Sequence, residues 1–236
     1  GIRNDGRGAP AYVHVDNQLL NAFYDDSCFC MSFGDGSSQN GNTPLTALDV
    51  AGHEMSHGVT AATANLNYSG ESGGLNEATS DIFGTMVEFY AGNTTDPGDY
   101  YIGEKLRMGN GYLRRMDNPA ADGNSLSCYS SRAHNGTPCN GDSFNGIGRD
   151  KAAQIWYRAL STYLTSTSNY SAARTATLQA AADLYGANSQ ERYIVSKAWA
   201  AVSLGTALPD PGNGNPSPSP TPTSSPTGNP NPGGNA

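Results

Sequence analysis

Positive charge is scarce in this sequence: 236 residues carry only three lysines, Lys105, Lys151 and Lys197, and the formal net charge is -8. Without a basic surface the chain cannot hold a phosphate backbone, so no nucleic-acid partner is expected. Long apolar runs are missing too. No stretch of 18 apolar residues occurs, which leaves nothing to cross a bilayer as a helix. Gly1 opens the chain without Met or a signal-like apolar segment, so it reads as a mature product, a fragment or a processed form. Cysteine is limited to Cys28, Cys30, Cys128 and Cys139, whose spacing is not that of a zinc ribbon. It fits an oxidising compartment and leaves three disulfide connectivities open. The low lysine content and the N-x-S/T sites at Asn67, Asn93, Asn135 and Asn169 point the same way, to an extracellular protein. Finally, residues 209–236 contain no aliphatic or aromatic residue larger than alanine and are dominated by Pro, Gly, Ser, Thr and Asn. Such a segment cannot bury enough surface to offset its ordering entropy and is expected to be an extended linker or tail.

The remaining 208 residues can form a real core. AYVHV and NAFY are short β-like stretches punctuated by Asn, Asp and Gly, and GDG at 34–36 is a turn signal, so residues 10–34 read as strand and loop, with His14 a strand residue. Thr43 followed by Pro44 predicts a helix start, and the helix is expected to run to about Leu66. LNEATSDIFGTMVEFY repeats apolar residues at three and four residue spacing (Leu75, Ala78, Ile82, Met86, Phe89) before Gly92, which predicts a second helix. From Asp150 the pattern is helical: DKAAQIWYRALSTYL, then YSAARTATLQAAADLYG closed by glycine, then SQERYIVSKAWAAV opened by a serine cap.

The chemistry lies in DVAGHEMSHG, residues 49–58. On a helix, residues four apart share a face, so His53 and His57 can point their imidazoles at one ion. Glu54 then sits beside that ion, where a carboxylate can take a proton from a water held there. Glu77, on the second helix, can supply a third ligand if the two helices pack antiparallel, leaving one tetrahedral position for water. Asp81, one turn further on, can fix the tautomer of a ligand imidazole.

HEMSH followed by GGLNEATSDIFGTMVEFY resembles the thermolysin-like family of secreted zinc endopeptidases, and the likeness continues through NAFYDDSCFCMSFGDG upstream and GIGRDKAAQIWYRAL downstream. The resemblance implies an α+β fold: a short β-rich upstream part, a zinc helix pair and a mainly helical C-terminal lobe. It divides the chain at 1–66, 67–208 and the tail at 209–236. It implies a monomeric enzyme that cleaves protein or peptide substrates on the amino side of bulky apolar residues. One zinc ion would be held by His53, His57 and Glu77, with Glu54 as base. Tyr68 matches a tyrosine that hydrogen-bonds the tetrahedral intermediate. Asn21 and Ala22 match the edge segment that holds substrate backbone, and Arg114 an arginine that binds the substrate carbonyl. Asp49, Glu88, Asp99 and Glu104 match an acidic cluster holding calcium, one ion rather than the family's two, since Lys105 puts a positive charge directly after Glu104.

Two departures bear on activity. The β-rich stretch ahead of the zinc helix is shorter than the family's, and the family's oxyanion histidine segment is missing between Arg114 and GIGRD, along with the helix that follows it. His134, in AHNGTP, is the only nearby substitute and reads better as an exposed loop residue. A catalytically impaired zinc-binding homologue is therefore the alternative to an active endopeptidase.

Overall fold

The computed structural model describes residues 5–37, 43–106, 111–129, 139 and 144–213. Among the described residues the strands and α-helices follow one another as β1 (Ala11–Tyr12), β2 (Ala22–Asp25), β3 (Cys30–Phe33), α1 (Leu48–Ala61), α2 (Gly70–Ala91), β4 (Tyr101–Ile102), β5 (Arg114–Arg115), α3 (Arg149–Thr162), α4 (Tyr170–Tyr185) and α5 (Gln190–Ala201). This is the α+β arrangement expected, with strands upstream and helices downstream. None of the described helices is long and apolar enough to cross a membrane.

The upstream sheet has the order β1-β3-β2. β1 runs parallel to β3 with Ala11 opposite Met31, and β2 runs antiparallel to it with Ala22 opposite Phe33, so β2 is an edge. The central strand, β3, lies outside the two β-like stretches marked in the sequence. It is paired on both sides and mostly buried, which removes the alternation by which a half-exposed strand is recognised. AYVHV is a strand only at its first two residues. His14 adopts a left-handed backbone (φ 58°) and its Nδ1 lies 2.7 Å from Asp35 Oδ1, so it is an exposed turn residue rather than a strand residue.

α1 begins at Leu48, not at Thr43–Pro44, and Ala47 at its N-cap makes no side-chain cap. Tertiary bonds overrode the local signal. Thr43 donates its N–H to Leu106 O (3.2 Å) and its hydroxyl to Lys105 O (2.8 Å), and Leu45 N–H donates to Gly34 O (3.1 Å). Leu45 is thereby drawn into a small core with Phe33, Val50 and Leu106. The helix also stops at Ala61 rather than Leu66, because Thr63 and Asn65 both return their N–H groups to Thr60 O and Asn65 turns left-handed (φ 50°).

α2 is longer than its apolar periodicity predicts, starting at Gly70 and closing on left-handed Gly92 (φ 57°). It packs antiparallel to α1: Asp49 and His53 lie against Gly84, His53 against Asp81, and His57 against Asn76. Two glycines permit this approach. A Cβ on Gly52 would lie 2.9 Å from Gly84 Cα, and one on Gly84 would overlap the Asp49 carbonyl.

Behind this pair, α3, α4 and α5 form the larger core, in which Leu75, Ile155 and Leu160 meet the alanine-rich face of α4. Trp156 donates its indole N–H to Thr79 (3.1 Å) and Trp199 to Thr177 (2.8 Å). Asn169 caps α4, and Ser189 caps α5 as its position predicted. Of the three open connectivities, the structure has Cys28–Cys30 and Cys128–Cys139. The tail is described only to Asn213, so residues 214–236 lie outside the described part.

Candidate active site

α1 places His53 and His57 one turn apart with their Nε2 atoms separated by 3.2 Å. α2 brings Glu77 to them, 3.4 Å from His53 Nε2 and 3.7 Å from His57 Nε2. An ion bound tetrahedrally at roughly 2.0–2.1 Å requires ligand atoms about 3.3 Å apart, so the three side chains fit zinc. Their other contacts agree. Asp81 Oδ1 lies 2.7 Å from His53 Nδ1, and Asn76 Oδ1 lies 2.7 Å from His57 Nδ1. With each Nδ1 engaged by its partner, each Nε2 is turned to the ligand triangle. Asn76 also donates to Leu66 O (3.0 Å), which settles the orientation of its amide. Sequence reasoning missed Asn76, whose only signal was its place directly before the third ligand.

The charges of the triangle act on one another. Burial opposes a charge on His53, but hydrogen bonds to Asp81 and Glu77 outweigh it and lift the imidazole to about 9. Burial likewise opposes the Glu77 carboxylate, yet His53 and Tyr68 hold it down to about 2. Burial lowers His57.

Glu54 is buried beside this triangle, and desolvation, together with the charge on Glu77 and against that on His53, pushes its carboxyl up to about 7. Tyr68, 71% exposed, donates its hydroxyl to Glu77 and sets its ring edge-on to His57, 6.0 Å between centroids. Arg114 grips both oxygens of Asp81 (2.8 and 2.7 Å), completing a chain from Arg114 through Asp81 to His53. A cleft of about 530 Å³ brings together Asn21, Ala22, His53, Glu54, His57, Tyr68, Glu77 and Arg114, while Asp81 stands behind the histidine. An apolar wall of Leu45, Val50, Ile102, Leu106 and Leu113 adjoins Arg114. His134 lies outside the described residues.

A second group of acids gathers where α1, α2 and the loop after α2 meet. Glu88, Asp96 and Glu104 each offer an oxygen within 4.8 Å of the others. Asp49 joins them from α1, its Oδ2 accepting the Gly103 N–H at 2.5 Å. Asp49 Oδ1, Glu88 Oε1 and Glu104 Oε2 are buried with no hydrogen-bond partner, the condition a hard cation would relieve. Burial, reinforced by mutual repulsion, raises all three carboxyls, Glu88 to about 7 and Glu104 to about 8. Lys105 Nζ sits 3.0 Å from Asp96 Oδ1. Asp99, counted in this cluster from the sequence, lies beside Glu88: one of its oxygens accepts the Tyr101 N–H (2.7 Å), and its own N–H donates to Glu88 (3.2 Å). Asp96, three residues earlier, is buried and joins the cluster as well.

Residues 1–61 match the family model for the thermolysin metallopeptidase catalytic domain, and residues 64–142 and 132–204 match that for its alpha-helical domain. The second match comes in two pieces that overlap at residues 132–142, between Arg114 and GIGRD. A transglutaminase-activating metalloprotease of Streptomyces mobaraensis is 48% identical across 87% of this chain and 31% of its own length. That alignment runs over 239 positions, more than this chain contains, so this chain lacks residues that the relative has. A thermolysin of Alicyclobacillus acidocaldarius subsp. acidocaldarius is 42% identical across 81% of this chain and 39% of its own. Among solved structures, the precursor of protealysin, a metalloproteinase from Serratia proteamaculans, superposes with a TM-score of 0.66 at 26% identity, covering 86% of this chain and 71% of that one. The chain thus spans about a third of the length of the curated relatives it matches. With the helical-domain model alone matching more than half of its residues, this chain belongs to the thermolysin metallopeptidase family.

Proposed function

We propose that this chain is a zinc-dependent endopeptidase acting on protein or peptide substrates. The observation that carries the reading is the triangle of His53, His57 and Glu77 with buried Glu54 beside it on the same helix. Bound zinc supplies Lewis-acid chemistry, polarising a carbonyl and acidifying water. The protein's own groups do the rest. Glu54, whose proton affinity is raised to about 7, suits a carboxylate that takes the proton of an attacking water and passes it to the leaving amine. Asn76 and Asp81 hold the imidazoles, and Arg114, which lines the cleft, holds Asp81. Tyr68 would have to release Glu77 to support a developing oxyanion. β2 has β3 on one side only and lines the cleft, so an extended peptide can add there as a further strand at Asn21 and Ala22. The apolar wall beside Arg114 supports a preference for a bulky apolar side chain next to the cleaved bond. The acidic cluster would hold one calcium ion, and the extracellular setting is supported by the two disulfides.

One observation favours the impaired alternative. Among the described residues the cleft is lined by two histidines, His53 and His57, and both are proposed ligands rather than oxyanion donors. Loss of one such donor costs roughly 10²–10³ in turnover. Casein hydrolysis with and without chelator, paired with Glu54→Gln, separates the readings. An active enzyme should be silenced by Glu54→Gln while keeping about one equivalent of zinc. A wild-type chain that holds zinc but leaves casein intact would establish the impaired homologue.

A further inference from the structure

Away from the cleft, a second hollow of about 220 Å³ opens between the segment that carries Cys128 and the end of α5. Its walls are Leu126, Tyr129, Tyr170, Trp199, Val202 and Leu204. The three aromatic residues are fixed by their polar atoms. Tyr129 donates its hydroxyl to Glu71 (3.0 Å) and its N–H to Val202 O (2.7 Å), and Tyr170 N–H donates to the other Glu71 oxygen (2.8 Å). Trp199 is pinned through Thr177. Their rings are thus held in place with apolar surface turned to the hollow, and Tyr129 meets Tyr170 edge-on at 5.8 Å. Leu126 and Tyr129 are about half exposed.

We propose that this aromatic hollow docks the chain's own proline-rich end, residues 214–236. The tail has the matching chemistry. It carries no charged residue, and Pro216, Pro218, Pro220 and Pro222 alternate with Ser and Thr. Such a run favours the polyproline II helix, which loses little entropy on binding and lays its rings on aromatic side chains. The tether is short as well. Trp199, Val202 and Leu204 belong to the end of α5 and the turn after it, and the chain then doubles back, with Leu208 N–H donating to Ser196 Oγ at 2.9 Å. Asn213 lies five residues beyond, at most about 17 Å away, and Ser196 is about 4.5 Å along the helix axis from Trp199. A chain of twenty-three residues, the number from 214 to 236, would span about 70 Å in a polyproline II conformation. A tether of this length raises the local concentration of the proline run to the millimolar range.

Trp156 and Trp199 are the only tryptophans, so two indole N–H resonances report on the full-length chain. Replacing Pro216, Pro218, Pro220 and Pro222 by alanine should shift the Trp199 resonance by more than its linewidth and leave that of Trp156 in place. The difference should persist on tenfold dilution. In an L126S background, altered at an exposed wall position, the same proline replacement should have no further effect. An unmoved Trp199 resonance overturns the proposal. So does a shift that vanishes on dilution, which would assign the hollow to the tail of a second copy, or one that survives L126S unchanged.

Discussion

Asn76 shows at the scale of one residue how much of the proposed zinc site lies outside its ligands. Its amide oxygen receives the His57 Nδ1 proton while its NH₂ is committed to Leu66 O, so it fixes both the tautomer and the ring angle of that imidazole. Asn76→Ala should lower zinc affinity about 10–100-fold, the usual effect of losing such a partner, as measured by competition with a chromophoric chelator. His53→Ala and Glu77→Ala should abolish stoichiometric binding in the same assay; tight binding by either would refute the ligand assignment. His53, Glu54 and His57 were legible in the sequence because helical spacing alone puts two imidazoles on one face. Asn76 and Asp96 were not, because an asparagine or an aspartate becomes a partner only when another segment arrives beside it.

Among the elements, the contact that matters most is the approach of α1 to α2, since it carries Glu77 to the histidines. Gly52 and Gly84 allow the two backbones to meet without intervening side chains. Gly84→Ala would push a methyl group against the Asp49 carbonyl, which belongs to backbone and cannot swing aside. It should destabilise the chain by about 1–3 kcal/mol, read as a lower urea midpoint, and weaken zinc binding as well. Gly8→Ala, with nothing within 4 Å of the added carbon, serves as the control and should leave both unchanged. Helix interiors were read well from apolar periodicity, whereas the ends of α1 were not. Thr43 and Pro44 carry a local start signal, but Thr43 gives its N–H and hydroxyl to Leu106 O and Lys105 O, and Leu45 gives its N–H to Gly34 O.

Across the whole molecule, Asp49, Glu88, Asp96 and Glu104 bind α1, α2 and the following loop into one unit whose like charges must be neutralised. A chelator that spares zinc should therefore lower the melting temperature, and calcium should restore it; an unchanged temperature would count against the proposed ion. The calcium-free chain should also show a particular pH dependence. Glu88 and Glu104 have folded values near 7 and 8, above their ordinary 4.5, so the folded state binds more protons than the unfolded one. Stability should then fall as pH rises from about 4.5 to 8, and saturating calcium should flatten that slope. Melting temperatures that instead climb with pH in chelator would contradict the geometry of the cluster.

The sequence alone determined the parts of this protein that depend on local repetition. Two histidines at helical spacing, apolar residues every three or four positions and a tail dominated by Pro, Gly, Ser, Thr and Asn each act within a few residues of chain. Only the tertiary structure decided where β3 lies, which cysteines pair, that Asp96 joins the acidic cluster, and which groups hold His53 and His57. Those outcomes depend on contacts between segments tens of residues apart, whose burial and hydrogen bonding outweigh local preference once the helices have packed.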